Sequence, residues 1–484
     1  MKRLLISCHL LGQMLVVTAD SAPRIQFTTP EIHKGSPVTD LRMLNSYGDA
    51  PSNVQGFFRE ARALLGNNNQ AGFAGNATIA LTAKQHGFTH LGGPLLGRVS
   101  DRGVAIWLRT IEPATVTVLA SSLNNEQVFA EARSSLESQL TAVVELSSLE
   151  PATRYTYKVL INGKPVSLDD EASFTTTPAK DARVRIAFGA DFHKTGLHNP
   201  RLLEQVHARG SLAMLLIGDL AVDDRRNHFG LIRSDYLLRD LSSAWKRFAA
   251  RVPVYATWDD HDFFGNDCSG IPTGCTIVEH KQLVQCWREN WNNPEYGAGQ
   301  EGIYFRTRIG PTDVIMLDTR SCRTSDSFLG ERQLRWFKEQ LLDCKGPFLI
   351  ISSGTMWSDY ISGGKDSWGV FAPTEREQIF SFIEGNKIPR VLLISGDRHG
   401  SRGFKIPRPS RHSYYEFEVG SLGGIIGPPP FAPTKAGRDQ QLFGRDGIAF
   451  GEFEFDTTSE TPSVIFRLIS EAGQILETVK LDTL

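Results

Sequence analysis

The chain has 484 residues, of which 40% are hydrophobic and 22% charged, with a formal net charge of -2. That length suits two or three domains of roughly 100–200 residues each, and the composition supplies ample apolar side chains for large cores. The near-neutral balance, without a long basic run, excludes the electrostatic footprint of a nucleic-acid or anionic-membrane binder. A charged small substrate therefore has to be held by local groups or by metals.

At the N-terminus, Lys2 and Arg3 precede a mostly apolar stretch, 4–17, and then the small residues Thr18, Ala19, Ser21 and Ala22. This is the order of a secretory signal peptide, so residues 1–22 are expected to direct export, with the mature protein periplasmic or extracellular. A short buried helix is the competing reading of that stretch. No other run approaches the ~20 apolar residues of a membrane span. Cys8 lies within the apolar stretch; Cys268 and Cys275 enclose a turn-rich loop in which a disulfide fits an oxidising compartment. Cys286, Cys322 and Cys344 read as buried thiols, and none of the six has the C-x-x-C spacing of a zinc site.

Residues 23–90 form an N-terminal extension, partly helical: 54–65 has helical character, ended by Gly66-Asn67-Asn68-Asn69. Asn76-Ala77-Thr78 fits a glycosylation sequon. From 91 to 178 short alternating runs appear, at 104–108, 115–119, 140–146, 155–159 and 172–175, separated by evenly spaced turns. They predict a small antiparallel β-sandwich. Within it Leu149-Glu150-Pro151-Ala152-Thr153-Arg154-Tyr155 resembles the L-x-P-x-T-x-Y turn of fibronectin type III modules, a packing feature rather than chemistry.

After a linker at 177–181, the region 182–484 changes period, and apolar strand-like runs alternate with helical stretches, which predicts a largely buried sheet covered by helices. Here each apolar run ends in polar residues. Run 184–188 leads to Asp191-Phe192-His193, 213–217 to Gly218-Asp219, and 252–258 to Asp259-Asp260-His261-Asp262. Run 314–317 leads to Asp318-Thr319-Arg320, 348–351 to Ser352-Ser353, and 391–394 to Asp397-Arg398-His399. Runs 450–455, 463–468 and 475–481 return to strands and are expected to close the edge of the sheet. A lone Asp after a strand is more often a turn or a helix cap than a ligand. A set of four such ends, two with His two residues after Asp, is different, because strand ends of such sheets converge. Clustered carboxylates repel one another and resist burial. A cation removes that cost, and carboxylates with imidazoles suit zinc, manganese, iron or calcium. Trp357 and Trp368 read as core, and His228 is given no role.

These motifs resemble the calcineurin-like metallophosphoesterases, whose order is D-x-H, G-D-x-x-D, G-N-H-D/E and G-H-x-H. Asp191-Phe192-His193 matches the first, Gly218-Asp219 begins the second with Asp223 displaced by one, and Asp260 and Asp397 replace residues of the third and fourth. The replacements resemble the PhoD-like alkaline phosphatase and phosphodiesterase branch, which has D-D-H-D/E after V-x-A-T-W (254–262), L-D-T-R-x-x-R (317–323), L-G-x-x-Q-x-x-W (329–336) and S-G-D-x-H (395–399). That branch commonly has Cys where this chain has Asp191, and Tyr where it has Val222. Without thiolate and phenolate, an iron site loses its preferred donors.

The resemblance implies an α/β metallophosphoesterase core of mixed β-sheets layered between helices, preceded by a small fibronectin-III-like β-sandwich. It implies two divalent or trivalent metal ions (Zn, Mn, Fe or Ca), with Asp191, His193 and His399 on one, Asp219 bridging, and Asp260, Asp397 and Asn266 on the other. A metal-activated water would then hydrolyse phosphomonoesters or phosphodiesters. His261 is the candidate general acid, with a positioning role beside Asp262 as its alternative. Arg398 is the candidate phosphate-binding guanidinium. Arg320 and Arg323 are candidate substrate-binding residues that could instead pair with Asp318. Competing readings are phospholipase-D-like headgroup hydrolysis, hydrolysis of a non-phosphate ester, and a non-catalytic surface binding protein on a decayed enzyme scaffold. The expected partner is a small phosphoester, with no nucleic acid and no transmembrane segment.

Overall fold

The computed structural model describes residues 25–481 except 124–126, 169–171, 298, 300, 362–366, 411 and 426. The expected export signal, 1–22, therefore lies outside the described residues. Two mixed sheets form the centre. The six-stranded one runs Val254–Thr257, Met214–Ile217, Arg183–Gly189, Ala449–Asp456, Ser463–Ser470, Ile475–Lys480. The seven-stranded one runs Phe305–Ile309, Thr312–Met316, Phe348–Ser353, Val391–Ser395, Ser413–Val419, Ser401–Pro407, Gln441–Arg445.

Alternation along the strands decides the layering. In Arg183–Gly189, Ile186 and Phe188 point inward to meet Val314, Met316, Ile350, Leu392 and Ile394 of the other sheet. The contact is aromatic at its centre, where Phe417 stacks on Phe466 with centroids 3.8 Å apart. The opposite faces carry helices. Ala187, Met214 and Leu216 pack on Leu202, Val206, Ile232 and Phe248. Leu349, Ile351 and Leu393 pack on Phe337, Leu341, Ile379 and Phe380. The central strands of both sheets are thus buried on both faces, which is why they read as apolar runs rather than alternating ones. The stacked Trp357 and Trp368 lie in the second of these outer cores, as expected.

The C-terminal strands depart from the expected edge position. Ala449–Asp456 pairs antiparallel with Arg183–Gly189 and sits inside the six-stranded sheet, and only Ile475–Lys480 forms its edge. Phe453 and Phe455 bury themselves between the sheets, which a solvated edge strand would not allow.

Ahead of this core, His90–Gly97, Val104–Thr110 and Thr141–Leu146 form one small sheet. Gln127–Arg133, Thr115–Ser122, Arg154–Ile161 and Lys164–Pro165 form a second, with Ser173–Thr175 on Arg154–Ile161. Inward side chains of both, among them Ile106, Val118, Val144 and Tyr157, share one core. In the Leu149–Tyr155 turn, the Glu150 amide donates to the Tyr155 hydroxyl at 2.9 Å. The Tyr157 hydroxyl donates to the Ala250 carbonyl at 3.0 Å, and Asn292 caps the carbonyls of Leu95 and Ala105, so the sandwich is stitched to the core.

The N-terminal extension folds as helices Thr29–Lys34, Pro37–Leu44, Ser52–Gly66 and Ala77–Gln85. Three of the four begin at a capping residue: Thr28 makes a capping box with Glu31, and Ser36 and Asn76 cap the second and fourth. Their apolar faces, with Ile32, Met43, Phe57, Phe58 and Leu65, pack on Leu237, Leu238 and Leu241 of helix Phe229–Leu241. Among the described residues no helix is long and apolar enough to cross a membrane. Cys268 and Cys275 are free thiols, not the expected disulfide. Their loop is held by backbone bonds instead, from Cys268 to the Gly265 carbonyl and from Cys275 to that of Pro272.

Candidate metal centre

Strands Arg183–Gly189, Met214–Ile217 and Val254–Thr257 run parallel, so their carboxyl ends emerge side by side. Val391–Ser395 of the other sheet delivers its end to the same place: the amides of Asp397 and His399 approach the Asp191 carboxylate at 3.4 and 3.3 Å. The chain must turn sharply at each end. Asp191, His193, Asp219, Asp397 and His399 all have left-handed backbones, with φ of 62°, 43°, 55°, 77° and 42°. Non-glycine residues pay for that conformation with roughly 1–3 kcal/mol each, and it persists where the surroundings over-determine it. Here backbone bonds do so: Asp191 donates to the Gly218 carbonyl at 3.0 Å, and His193 to that of Asp219 at 2.9 Å. Gly218, with φ of 92°, leaves no room for a side chain, because a Cβ there would meet the Asp259 amide nitrogen at 2.6 Å.

Two donor groups result. His193, Asp219 and His399 come together on one side, with the two imidazole Nε2 atoms 3.1 Å apart and His193 Nε2 3.7 Å from Asp219 Oδ2. On the other side Asp260 gathers with Asp219 and His261, and also with Asp259 and Asp397. Asp219 belongs to both sides, the arrangement a bridging ligand needs. Its Oδ2 is buried and receives no hydrogen bond. A buried carboxylate oxygen without a donor costs free energy that a bound cation would recover. Two facing imidazole nitrogens beside it complete a donor set that fits metal ions; none of these groups contains a thiol.

The electrostatics point the same way. Burial, followed by repulsion from Glu418, Asp397 and Asp259, pushes the Asp191 carboxyl well above its ordinary range. Burial and the charges of Asp260, Asp259 and Asp191 do the same to Asp219. Burial and the neighbouring imidazoles drive His399 down to about 2. Carboxyls that prefer to be neutral beside imidazoles that refuse protons describe a site lacking positive charge. His261, described below, departs from this, and Asp223 does too. Burial would raise Asp223, but His193 and Lys194 beside it hold it well below the usual carboxylate range. It accepts from His193 Nδ1 at 2.9 Å, so the ring's proton is fixed on Nδ1 and Nε2 faces the donor group.

Of the residues singled out from sequence, Asp191, His193, Asp219, Asp260, His261, Asp397 and His399 are brought together. Three others are placed differently. Arg320 does not pair its side chain with Asp318 but forks onto Asp259, at 2.6 and 2.9 Å, and is 2% exposed. It is committed to positioning the Asp259–Asp260 loop, not open to substrate. Arg323 lays its guanidinium over Phe328 and Phe371, at 4.7 and 4.1 Å from their centroids. Asn266 is exposed and gives its side-chain amide to Asp267. Arg398 remains beside the cluster, 3.1 Å from Asp397.

His261 is held by Asp224, not by Asp262: its Nδ1 lies 2.8 Å from Asp224 Oδ1. Burial would lower His261, but Asp260, Asp224 and Asp223 overcome burial and push it up to about 10. Asp262 instead receives the amides of Leu220 and Val222 and so shapes the turn that carries Asp219. Sequence reasoning missed Asp224 and His33. The first stands beside the motif residue Asp223. The second comes from the N-terminal extension, where no spacing marked it.

Residues 228–436 match the family model of the PhoD-like phosphatases, and 89–179 match one described as a domain of unknown function (DUF7800). The PhoD-like region holds Asp260, His261, Asp397 and His399; Asp191, His193 and Asp219 precede it. "Alkaline phosphatase D" of Bacillus subtilis (strain 168) is 22% identical over 220 residues, 38% of this chain and 36% of its own length. The alignment thus spans about a third of that relative. Among solved structures, one titled "Structure of PhoD" superposes with a TM-score of 0.63 at 16% identity, covering 81% of this chain and 93% of its own. A purple acid phosphatase from yellow lupin (Lupinus luteus) seeds gives 0.62 at 14%, covering 81% and 75%. At these identities the likeness is one of fold.

Proposed function

We propose that this chain, which carries a PhoD-like phosphatase domain, hydrolyses phosphomonoesters or phosphodiesters at a centre for two cations, and does so after export. One observation carries the reading: strand ends from both sheets gather His193, His399, Asp260 and His261 about Asp219, whose Oδ2 has no donor, with Asp397 meeting Asp260 alongside. Asp191, His193 and His399 would hold one cation, Asp260 and Asp397 the other, with Asp219 between them. When bound, such a pair supplies charge for the attacking and leaving oxygens of a phosphoryl displacement. The small sandwich ahead of the core is read as a fibronectin-III-like support, stitched on through Tyr157 and Asn292.

The chain's own groups do the rest. Asp223 orients His193, and Arg320 fixes Asp259 so that Asp260 faces the centre. Arg398, on the strand end that brings Asp397, is placed to bind phosphoryl oxygens. His261 is nearly buried, with its Nδ1 on Asp224, which leaves Nε2 to give a proton to the departing alkoxide. Zinc and manganese suit these nitrogen and carboxylate donors, and calcium suits the carboxylates alone. The test is elemental analysis of purified protein with a panel of nitrophenyl phosphates, bis-nitrophenyl phosphate and nitrophenyl carboxylates. Metal together with phosphoester turnover is expected; turnover of carboxylates alone would contradict the proposal.

A further inference from the structure

The metal centre is approached by a fourth imidazole that no motif contains. His33 sits in the last turn of helix Thr29–Lys34. Its ring lies flat on that of His261, with centroids 4.1 Å apart and planes 6° apart. Its Nδ1 is 3.3 Å from Asp223 Oδ1, the oxygen that also accepts from His193. The side chain is 15% exposed, so it stands at the rim of the site rather than outside it.

The segment carrying His33 is fastened to the loop that follows Asp219. Arg225 donates to the Lys34 carbonyl at 2.7 Å, forks onto Asp235 and lies 3.6 Å from Asp40, which is itself bound to Arg62. Three consecutive residues thus have linked tasks. Asp223 holds His193 and His33, Asp224 holds His261, and Arg225 holds the backbone behind His33. Gly35 makes this closeness possible: its φ is 56°, and a Cβ there would come within 2.5 Å of the Arg225 guanidinium. Thr28 and Ser36 cap the helices on either side, so His33 has little freedom to leave.

We propose that His33 is a positioning residue of the catalytic centre, and that the N-terminal extension is a working part of the site. Stacking against His33 fixes the tilt of the His261 ring, while the shared Asp223 couples that tilt to the cation ligand His193. The proposal deepens the phosphoesterase reading and rests on it for its kinetic consequence. A ring left free to rotate loses its aim at the leaving oxygen, and a misplacement of about 1 Å can cost about 10²-fold in rate.

The experiment combines kinetics with NMR on the full chain. His33→Ala is expected to lower kcat on nitrophenyl phosphate roughly ten- to a hundredfold, with KM changed by less than about threefold and with metal content intact. Gly35→Val, which displaces the segment without touching any ligand, should move kcat in the same direction. In histidine-labelled wild type without metal, an NOE between the His33 and His261 rings is expected, and the His261 ring signals should move downfield in His33→Ala as the stacked ring is removed. Unchanged kcat in His33→Ala, loss of metal together with activity, or absence of the NOE would each overturn the proposal. If metal-loaded wild type turns over no phosphoester, the phosphoesterase reading falls instead, and the NOE still decides the contact.

Discussion

At the scale of the residue, the chemistry is set by who holds each imidazole. His193 is held by Asp223 and His261 by Asp224, two neighbouring carboxylates with different partners. His261→Ala should therefore lower kcat by about 10²–10⁴ while metal stays bound; loss of metal in that variant would make His261 a ligand. Asp219→Asn should abolish both binding and turnover, because it serves both donor groups. Arg320 makes a different kind of statement. Its buried fork onto Asp259 means that Arg320→Ala leaves an unpaired buried carboxylate, expected to cost about 3–5 kcal/mol in urea unfolding. An unchanged midpoint would show that Arg320 is free after all.

At the scale of the element, the site depends on strand ends and on the turns that follow them. Gly218→Ala should lower stability by about 1–3 kcal/mol and weaken metal binding, since the turn needs both a left-handed backbone and the space beside Asp259. The strands that build this site were legible because burial on both faces makes them continuous apolar runs: 184–188, 213–217 and 391–394 appear as Arg183–Gly189, Met214–Ile217 and Val391–Ser395. Elements without that signal escaped. His90–Gly97 contains Gly-Gly-Pro, which reads as a turn, and it pairs only with shifts in register. Gln127–Arg133 has no fully buried position to give it an apolar face. His33 escaped for a stronger reason: its contacts lie 160 and more residues away in sequence, and a single histidine in a short helix carries no periodicity.

At the scale of the whole molecule, two sheets and their outer helices form a rigid frame, and the N-terminal extension and the sandwich are both packed against it. The frame holds carboxylates where they repel one another. Without metal, Asp191 and Asp219 lie well above the ordinary carboxylate range, and Asp259 is raised to about 7 by burial, against the pull of Arg320. A raised folded-state value means that the folded chain holds more protons than the unfolded one, so these carboxyls cost stability as pH rises. Burial of His193 and His399 as neutral rings acts the other way up to about 6.5, and above about 7, where those rings are neutral folded or unfolded, the metal-free protein should lose stability with rising pH. Adding metal should offset that loss, because a ligand bound only by the folded state stabilises it by about 4 kcal/mol at a thousand times its Kd. Thermal melts at about pH 7 and about pH 8.5, with chelator and with added zinc or manganese, read both effects. A metal-free Tm that climbs with pH would contradict the sign.

The most direct test of the proposed paired-cation centre is a crystal of metal-loaded protein measured at the absorption edge of the metal. Two anomalous peaks are predicted, about 3.5–4 Å apart, with Asp219 between them, His193 and His399 on one side and Asp260 and Asp397 on the other. An empty site at full metal loading, or peaks bound elsewhere on the molecule, would contradict it.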